Sequence, residues 1–268
     1  MAVTEVRLGA EHLGGCLALS AAAGWNQNEA DWRLMLELGE GWGLALRNGT
    51  LVASTLVIPY GAFAWVSMVL VLPGHRRKGS ASRLLRTAIE ALARANLTPV
   101  LDATPAGLAV YRQEGFRDAW GFKRYVLNYT KREQKSDARP LRDADWRWIL
   151  ELDRAAFGGN RERLLRTLAR RLPAAALVVE GHGFVLGRDG REARQLGPLV
   201  AVNAEAARAL LQGAMARLSG PVYADVPDHV ALGGSHTVQR PYTRMVRGAA
   251  AAPGEKGKVF LVAGPELG

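Results

Sequence analysis

A unit of strand, helix and Pro-led strand occurs twice in this chain, and no other feature constrains its fold as much. In the first half it reads VSMVLVLPGHRRKGSASRLLRTAIEALARANLTPVLDATP; in the second, GPLVAVNAEAARALLQGAMARLSGPVYADVP. Both copies end on an Asp with a Pro nearby. The spacing departs at one place: 28 residues separate Val71 from Pro99, but 19 separate Val202 from Pro221. The missing stretch falls on Gly74-His75-Arg76-Arg77-Lys78. Two tandem domains of one fold, of which the first alone keeps this loop, are the expectation, with residues 1–130 and 143–268 as the domains and the polar, Pro-containing KREQKSDARPLR at 131–142 as linker.

The rest of each half can be read from periodicity. Strands are expected at 3–8, 42–47, 51–59, 63–72, 98–103 and 124–129, with Asn48-Gly49 as a hairpin turn. Helices are expected at 12–23, 29–38, 80–96 and 106–114, the last closed by Gly115. The 80–96 helix is the clearest: Ala81, Leu84, Leu85, Ala88, Ile89 and Leu92 share one face and Arg83, Arg86, Glu90 and Arg94 lie elsewhere. In the second half, helices at 145–156, 161–172 and 204–218 and strands at 176–180, 183–188, 194–202 and 222–225 repeat the order.

Composition narrows the class. With 268 residues, 49% hydrophobic and 22% charged, the chain is globular, which excludes extended disorder and disulfide scaffolds. Its formal charge of +10 favours an anionic partner, yet Arg carries the excess and no nucleic-acid motif or interleaved stacking aromatics accompany it. The start lacks a signal-peptide pattern, and the longest apolar stretch, 62–73, is too short to span a bilayer; a cytoplasmic protein without nucleic-acid or membrane partners is expected. The lone cysteine, Cys16, sits among leucines and reads as a buried thiol. His182, His229 and His236 have no metal-ligand spacing, so no metal is expected.

PGHRRKGSASRLL carries the chemistry. It leaves a buried strand and enters a helix through Gly79, Ser80, Ala81 and Ser82, where unpaired amides and the helix dipole favour an anion that small residues let approach. Six basic residues between Arg76 and Arg94 suit a polyphosphate. The spacing of Gly74 and Gly79 imitates an ATP-binding loop, but Ser80 stands where the Lys should be, and G-x-G-x-x-G is absent. The pattern present is [QR]-x-x-G-x-[GA], as Arg76-Arg77-Lys78-Gly79-Ser80-Ala81.

At these residues, and at AGLAVYRQEGF with Tyr111 and Gly115-Phe116 in register, the chain resembles the GNAT superfamily of acetyl-CoA-dependent N-acyltransferases. It also looks like a narrower two-domain group in which GWN, LDATPAG, GPLVA and RPYTRM recur and whose second domain is a divergent copy. The resemblance implies an α/β (α+β) fold class: two tandem GNAT-like domains, each with a mixed, mostly antiparallel central sheet flanked by helices. It implies acetyl-CoA as cosubstrate and a primary amine of a small molecule or peptide as acceptor, with a homodimer possible. A catalytically weak acyl-CoA-binding regulatory protein is the alternative.

By the same resemblance, Val69 and Val71 would bind the pantetheine arm through their backbone, and Arg76, Arg77, Lys78, Gly79, Ser80, Ala81 and Ser82 would hold the pyrophosphate. Tyr111 is the candidate acid for the leaving thiolate, or an aromatic packing helix on sheet. Asp102 is either the general base or the cap of the following turn through the Thr104 and Ala106 amides. The strand at 63–72 holds no carboxylate. Trp25, Asn26 and Trp32, in the helical region that roofs the acceptor site in this fold, either contact substrate or belong to the core.

Overall fold

In the computed structural model, residues 3–127, 136–233 and 236–268 are described. The first half runs β1 (Val3–Arg7), α1 (Leu13–Ala22), α2 (Glu29–Leu38), β2 (Glu40–Leu46), β3 (Leu51–Pro59), β4 (Phe63–Val71), α3 (Ser80–Arg94), β5 (Thr98–Ala103), α4 (Leu108–Gln113) and β6 (Arg117–Leu127). The second runs β7 (Arg139–Pro140), α5 (Trp146–Phe157), α6 (Glu162–Arg171), β8 (Leu177–Val179), β9 (Gly183–Arg188), β10 (Arg194–Ala201), α7 (Ala204–Arg217), β11 (Val222–Pro227), β12 (Thr237–Val246) and β13 (Val259–Leu261).

Local chemistry explains the boundaries that the sequence predicts well. Asn28 accepts from the Asp31 amide while the Asp31 carboxylate accepts from the Asn28 amide, a reciprocal cap that fixes the start of α2. Asn48 and Gly49 turn β2 into β3, Gly49 at φ +83° and the Asn48 Oδ1 accepting from the Thr50 amide. Burial of Leu84, Leu85, Ala88, Ile89 and Leu92 seats α3 on the sheet.

Long-range pairing changes three expectations. The strand expected at 124–129 begins at Arg117 instead, and residues 128 and 129 lie outside the described residues, as do 131–135 of the expected linker. Arg139–Pro140 of that linker is an edge strand on β8. Two strands had no counterpart in the reading, β12 and β13, because their partners are remote in sequence.

The strands form one sheet in the order β1-β2-β3-β4-β5-β12-β6-β11-β10-β9-β8-β7, with β13 on β10. Instead of two separate sheets joined by a linker, the halves exchange strands. β12 of the second half lies between β5 and β6 of the first, and β6 in turn pairs with β11 of the second. The sheet is mixed and mostly antiparallel; β4–β5 and β10–β11 are its parallel pairs among the described residues.

The two faces differ. On one, α3 and α7 cover separate apolar cores, one per half. On the other, α1, α2, α5 and α6 cover a single core that runs from Leu13 and Trp32 through Trp65, Phe122 and Tyr242 to Phe184 and Leu267. Residues 264–268 are pinned on this second face: the Trp65 indole donates to the Pro265 carbonyl at 2.9 Å, the Tyr60 hydroxyl to that of Leu267 at 2.9 Å and Arg161 to that of Gly268 at 2.6 Å.

Because β5 and β6 meet only through β12, a fragment ending at residue 142 should lose cooperative folding. Thermal unfolding followed by near-ultraviolet circular dichroism checks this; a fragment melting within about 4 °C of the whole chain, the shift of roughly 1 kcal/mol, would contradict the exchange.

Candidate active site

β4 and β5 run parallel for three residue pairs, Phe63 with Thr98, Ala64 with Pro99 and Trp65 with Val100, and then separate. The separation starts at an irregularity in β4. Ser54 of β3 lies opposite Leu70, but Leu56 lies opposite Ser67, so β4 carries an extra residue, and Met68 takes up φ +51°. A positive φ in a long side chain is strained and persists only where neighbours enforce it. Here the buried Ser54 hydroxyl donates to the Met68 carbonyl at 2.7 Å. That bond turns the following amide, of Val69, away from β3 toward the opening. Val69 and Val71, both half-buried, line the free edge on which an extended ligand could pair.

The loop beyond β4 continues the opening. None of the amides from Arg77 to Ser82 donates to a backbone carbonyl among the described residues. Gly79 precedes α3 at φ +77° with no side chain capping the helix, and a Cβ placed on it would meet nothing within 4 Å. A run of free amides at the positive end of a 15-residue helix is an arrangement that can receive an anion. Of the surrounding cations, Arg76 and Lys78 brace the loop by donating to the carbonyls of Val71 and Gly74, while Arg83 and Arg86 pair with Glu5 and Glu114.

The second copy of the unit closes both features. Asn203 accepts from the Ala206 amide and so caps α7 with the chain's own side chain. The parallel pairing of β10 with β11 also ends, after Leu196 with Ala224, but β13 enters the gap, pairing Leu199 with Leu261 and Val200 with Val259, and a bridge joins Asp225 to Val262.

Tyr111 stands on α4, its ring edge-on to Phe116 at 6.1 Å and packed over Gly107. Its hydroxyl has no hydrogen-bond partner among the described residues, and burial pushes its pKa above the usual tyrosine value. Asp102 does not cap the turn that follows it. It accepts nothing from Thr104 or Ala106; Arg244 of β12, its register partner, donates to it through Nε at 2.9 Å and Nη2 at 3.0 Å. The Asp102 side chain is fully buried, so the part of this residue that meets solvent is backbone. Arg244 lies between the faces of Trp65 and Trp120, 4.4 and 4.2 Å from their ring centres. Burial outweighs the attraction of Arg244 and pushes the Asp102 carboxyl up to about 6.

Two of the three residues expected at the acceptor roof are structural. Trp32 is fully buried and donates to Ser20 at 2.9 Å. Asn26 joins the halves: its side chain accepts from the Glu192 and Ala193 amides and donates to the Ala193 carbonyl, and its carbonyl accepts from the Arg191 amide. Trp25 packs partly buried against the shared core, its carbonyl accepting from Arg191 at 3.0 Å. Cys16 is buried, and its thiol is pushed up to about 12. Sequence reasoning missed Ser54, Trp65, Trp120 and Arg244; RPYTRM, which contains Arg244, was the one signal of them.

A parallel strand pair that parts at a bulge and leads into a basic loop with free amides is an opening suited to an extended, peptide-like ligand that ends in phosphate groups. Residues 17–116 match the acetyltransferase (GNAT) family and residues 149–261 an acetyltransferase (GNAT) domain. The chain belongs to the GNAT superfamily of N-acetyltransferases, with two GNAT domains in tandem. It is 26% identical, over 85% of its length and 83% of the relative's, to the uncharacterized N-acetyltransferase YitH of Bacillus subtilis (strain 168). The same fold occurs in a putative acetyltransferase from Pyrococcus horikoshii, with a TM-score of 0.84, 20% identity and coverage of 99% of this chain and 96% of that one. A GCN5-related N-acetyltransferase from Sphaerobacter thermophilus gives a TM-score of 0.68 at 16% identity, covering 91% and 95%. No described helix is long and apolar enough to cross a membrane, and no cluster of three or more described His, Cys, Asp or Glu side chains could hold a metal ion.

Replacing Arg244 by Met should cost about 3–5 kcal/mol in urea unfolding, because it strands a buried carboxylate. The pH dependence has a definite sign. Asp102 binds its proton more tightly folded than unfolded, where its pKa is about 3.9, so its contribution to stability is full below pH 4 and is lost as pH rises to about 6. Relative to Asp102→Asn, the wild type should therefore lose stability between pH 4 and 6; a difference flat across that range would refute the assignment.

Proposed function

We propose that the first half binds acetyl-CoA between the separated strands β4 and β5 and transfers its acetyl group directly to a primary amine of a small molecule or peptide. The observation that carries this reading is the unbroken run of free amides from Arg77 to Ser82, ending on the uncapped, positively polarised start of α3. In this reading the amides of Gly79, Ser80, Ala81 and Ser82 take the pyrophosphate, Arg77 adds charge, and Arg76 and Lys78 act chiefly by holding the loop's shape. The exposed edge at Val69 and Val71 receives the amide groups of the pantetheine arm. The Val69 N–H, turned by Ser54 and Met68, points a donor at the thioester oxygen, where negative charge develops as the amine attacks.

Collapse of the tetrahedral adduct that this attack forms breaks the C–S bond and leaves a thiolate, whose ordinary pKa is near 8.5, and the proton that the nitrogen sheds as the amide forms passes to that thiolate, so that CoA departs as the thiol. Tyr111, with its pKa raised by burial, gives up a full proton to such a group only uphill. It serves by keeping a neutral O–H aimed at the sulfur, and it stays neutral through the whole working pH range. Asp102, sealed behind Arg244, supports the wall of the opening instead of collecting the amine's proton. The second half, its groove filled by β13 and its helix capped by Asn203, takes no acyl-CoA in this reading.

Acetyl-CoA at millimolar concentration should raise the melting temperature, and Gly79→Glu should abolish the rise. The protein should still fold, since the added side chain meets open space and the left-handed backbone costs only about 1–2 kcal/mol. Absence of a shift in the wild type sinks the reading. A panel of primary amines with thiol detection then separates enzyme from sensor: CoA release with some amine is expected, and release with none leaves a binding protein. Tyr111→Phe should lower kcat about 10- to 100-fold, the scale of one hydrogen bond lost to a charged group, without altering the acetyl-CoA shift or the shape of the pH profile.

A further inference from the structure

β4 contributes two consecutive residues, Ser67 and Met68, to the face covered by α1 and α2. Ala64 and Val66 belong to the core under α3, whereas Trp65, Met68 and Leu70 belong to the core on the opposite face; alternation places Ser67 with Trp65, and the bulge adds Met68. Ser67 is only 6% exposed, and its hydroxyl has no hydrogen-bond partner among the described residues. A buried hydroxyl left unpaired forfeits the bonds it would make with water, so its retention at a bend in a strand asks for an account.

The register supplies one. Trp65 and Val100 are the last paired residues of β4 and β5. Counting two residues on along each strand sets Ser67 against Asp102, the first residues on that face beyond the point where the strands part. One bank of the opening thus presents an unengaged hydroxyl and the other the Asp102–Arg244 pair, with Arg244 held between Trp65 and Trp120. α3 and its anion cradle are on the other side of the sheet, so this is the side from which a second substrate reaches a thioester held in the opening. The hydroxyl oxygen can accept from an amine N–H there while leaving the nitrogen lone pair free to attack.

We propose that Ser67 is an acceptor-binding residue: its Oγ takes the N–H of a neutral primary amine at the mouth between Ser67 and the Asp102–Arg244 pair. This rests on the acyltransferase reading above. It also makes the second half a part of the acceptor site, because Arg244 is carried by β12.

The test compares wild type, Ser67→Ala and Ser67→Thr, using acetyl-CoA thermal shifts and CoA release with n-propylamine and with the best amine of the panel. Ser67→Ala should melt within about 2 °C of the wild type, since no protein hydrogen bond is lost, and keep the full acetyl-CoA shift. Its kcat/KM for amine should fall about tenfold, as expected for one hydrogen bond, with the KM for acetyl-CoA unchanged, and Ser67→Thr should recover part of the loss. Unchanged amine kinetics in Ser67→Ala would overturn the assignment, as would a loss of activity accompanied by a large drop in melting temperature. A wild type without an acetyl-CoA shift removes the underlying reading as well, an outcome distinct from a normal shift with an indifferent Ser67.

Discussion

The placement of β12 between β5 and β6 is the constraint on which this molecule depends. It joins strands that lie more than 110 residues away in the chain, and it brings with it the guanidinium that neutralises Asp102 on the wall of the opening. A buried ion pair of this kind adds little net stability over an apolar pair, but breaking one side of it is expensive, so it specifies register strongly. Shifting β12 by one residue would turn Arg244 to the α3 face and leave Asp102 alone. The aromatic layers on either side of Arg244 extend the same logic, since Trp120 comes from β6, the direct partner of β12, and Trp65 from β4, one strand beyond β5.

The repeat, the Asn48-Gly49 hairpin turn and the amphipathic α3 were legible because their signals are local: alternation and turn residues within a few dozen positions. So was the uncapped start of α3 with its small residues. Asn26 and Trp32 were not legible in this way. An amide and an indole near an expected substrate region look alike in sequence whether they face a ligand or, as here, join the halves and fill the core. Asp102 shows the same limit. Its alternatives were argued from neighbours in the chain, and its partner came from residue 244.

The two halves treat the same backbone defect in opposite ways. In each, a strand irregularity parts two parallel strands, at Met68 in one and at Gly197-Pro198 in the other. Parting exposes amides and carbonyls that must find partners. The second half satisfies them from within the chain, through β13 and Asn203, and becomes a closed body. The first leaves them open between β4 and β5.

A sheet whose hydrogen-bond ladders pass unbroken from β5 through β12 and β6 to β11 also has a mechanical consequence. Bending the halves about their junction would shear several strand pairs at once and tear a core that spans both, so the molecule has no soft axis between its domains. Any change of aperture at the opening is left to the parts outside those ladders and that core: the loop after β4, and short α4 with Tyr111. Tandem duplication has here produced a stiff frame in which the moving pieces are small and all lie on the first half.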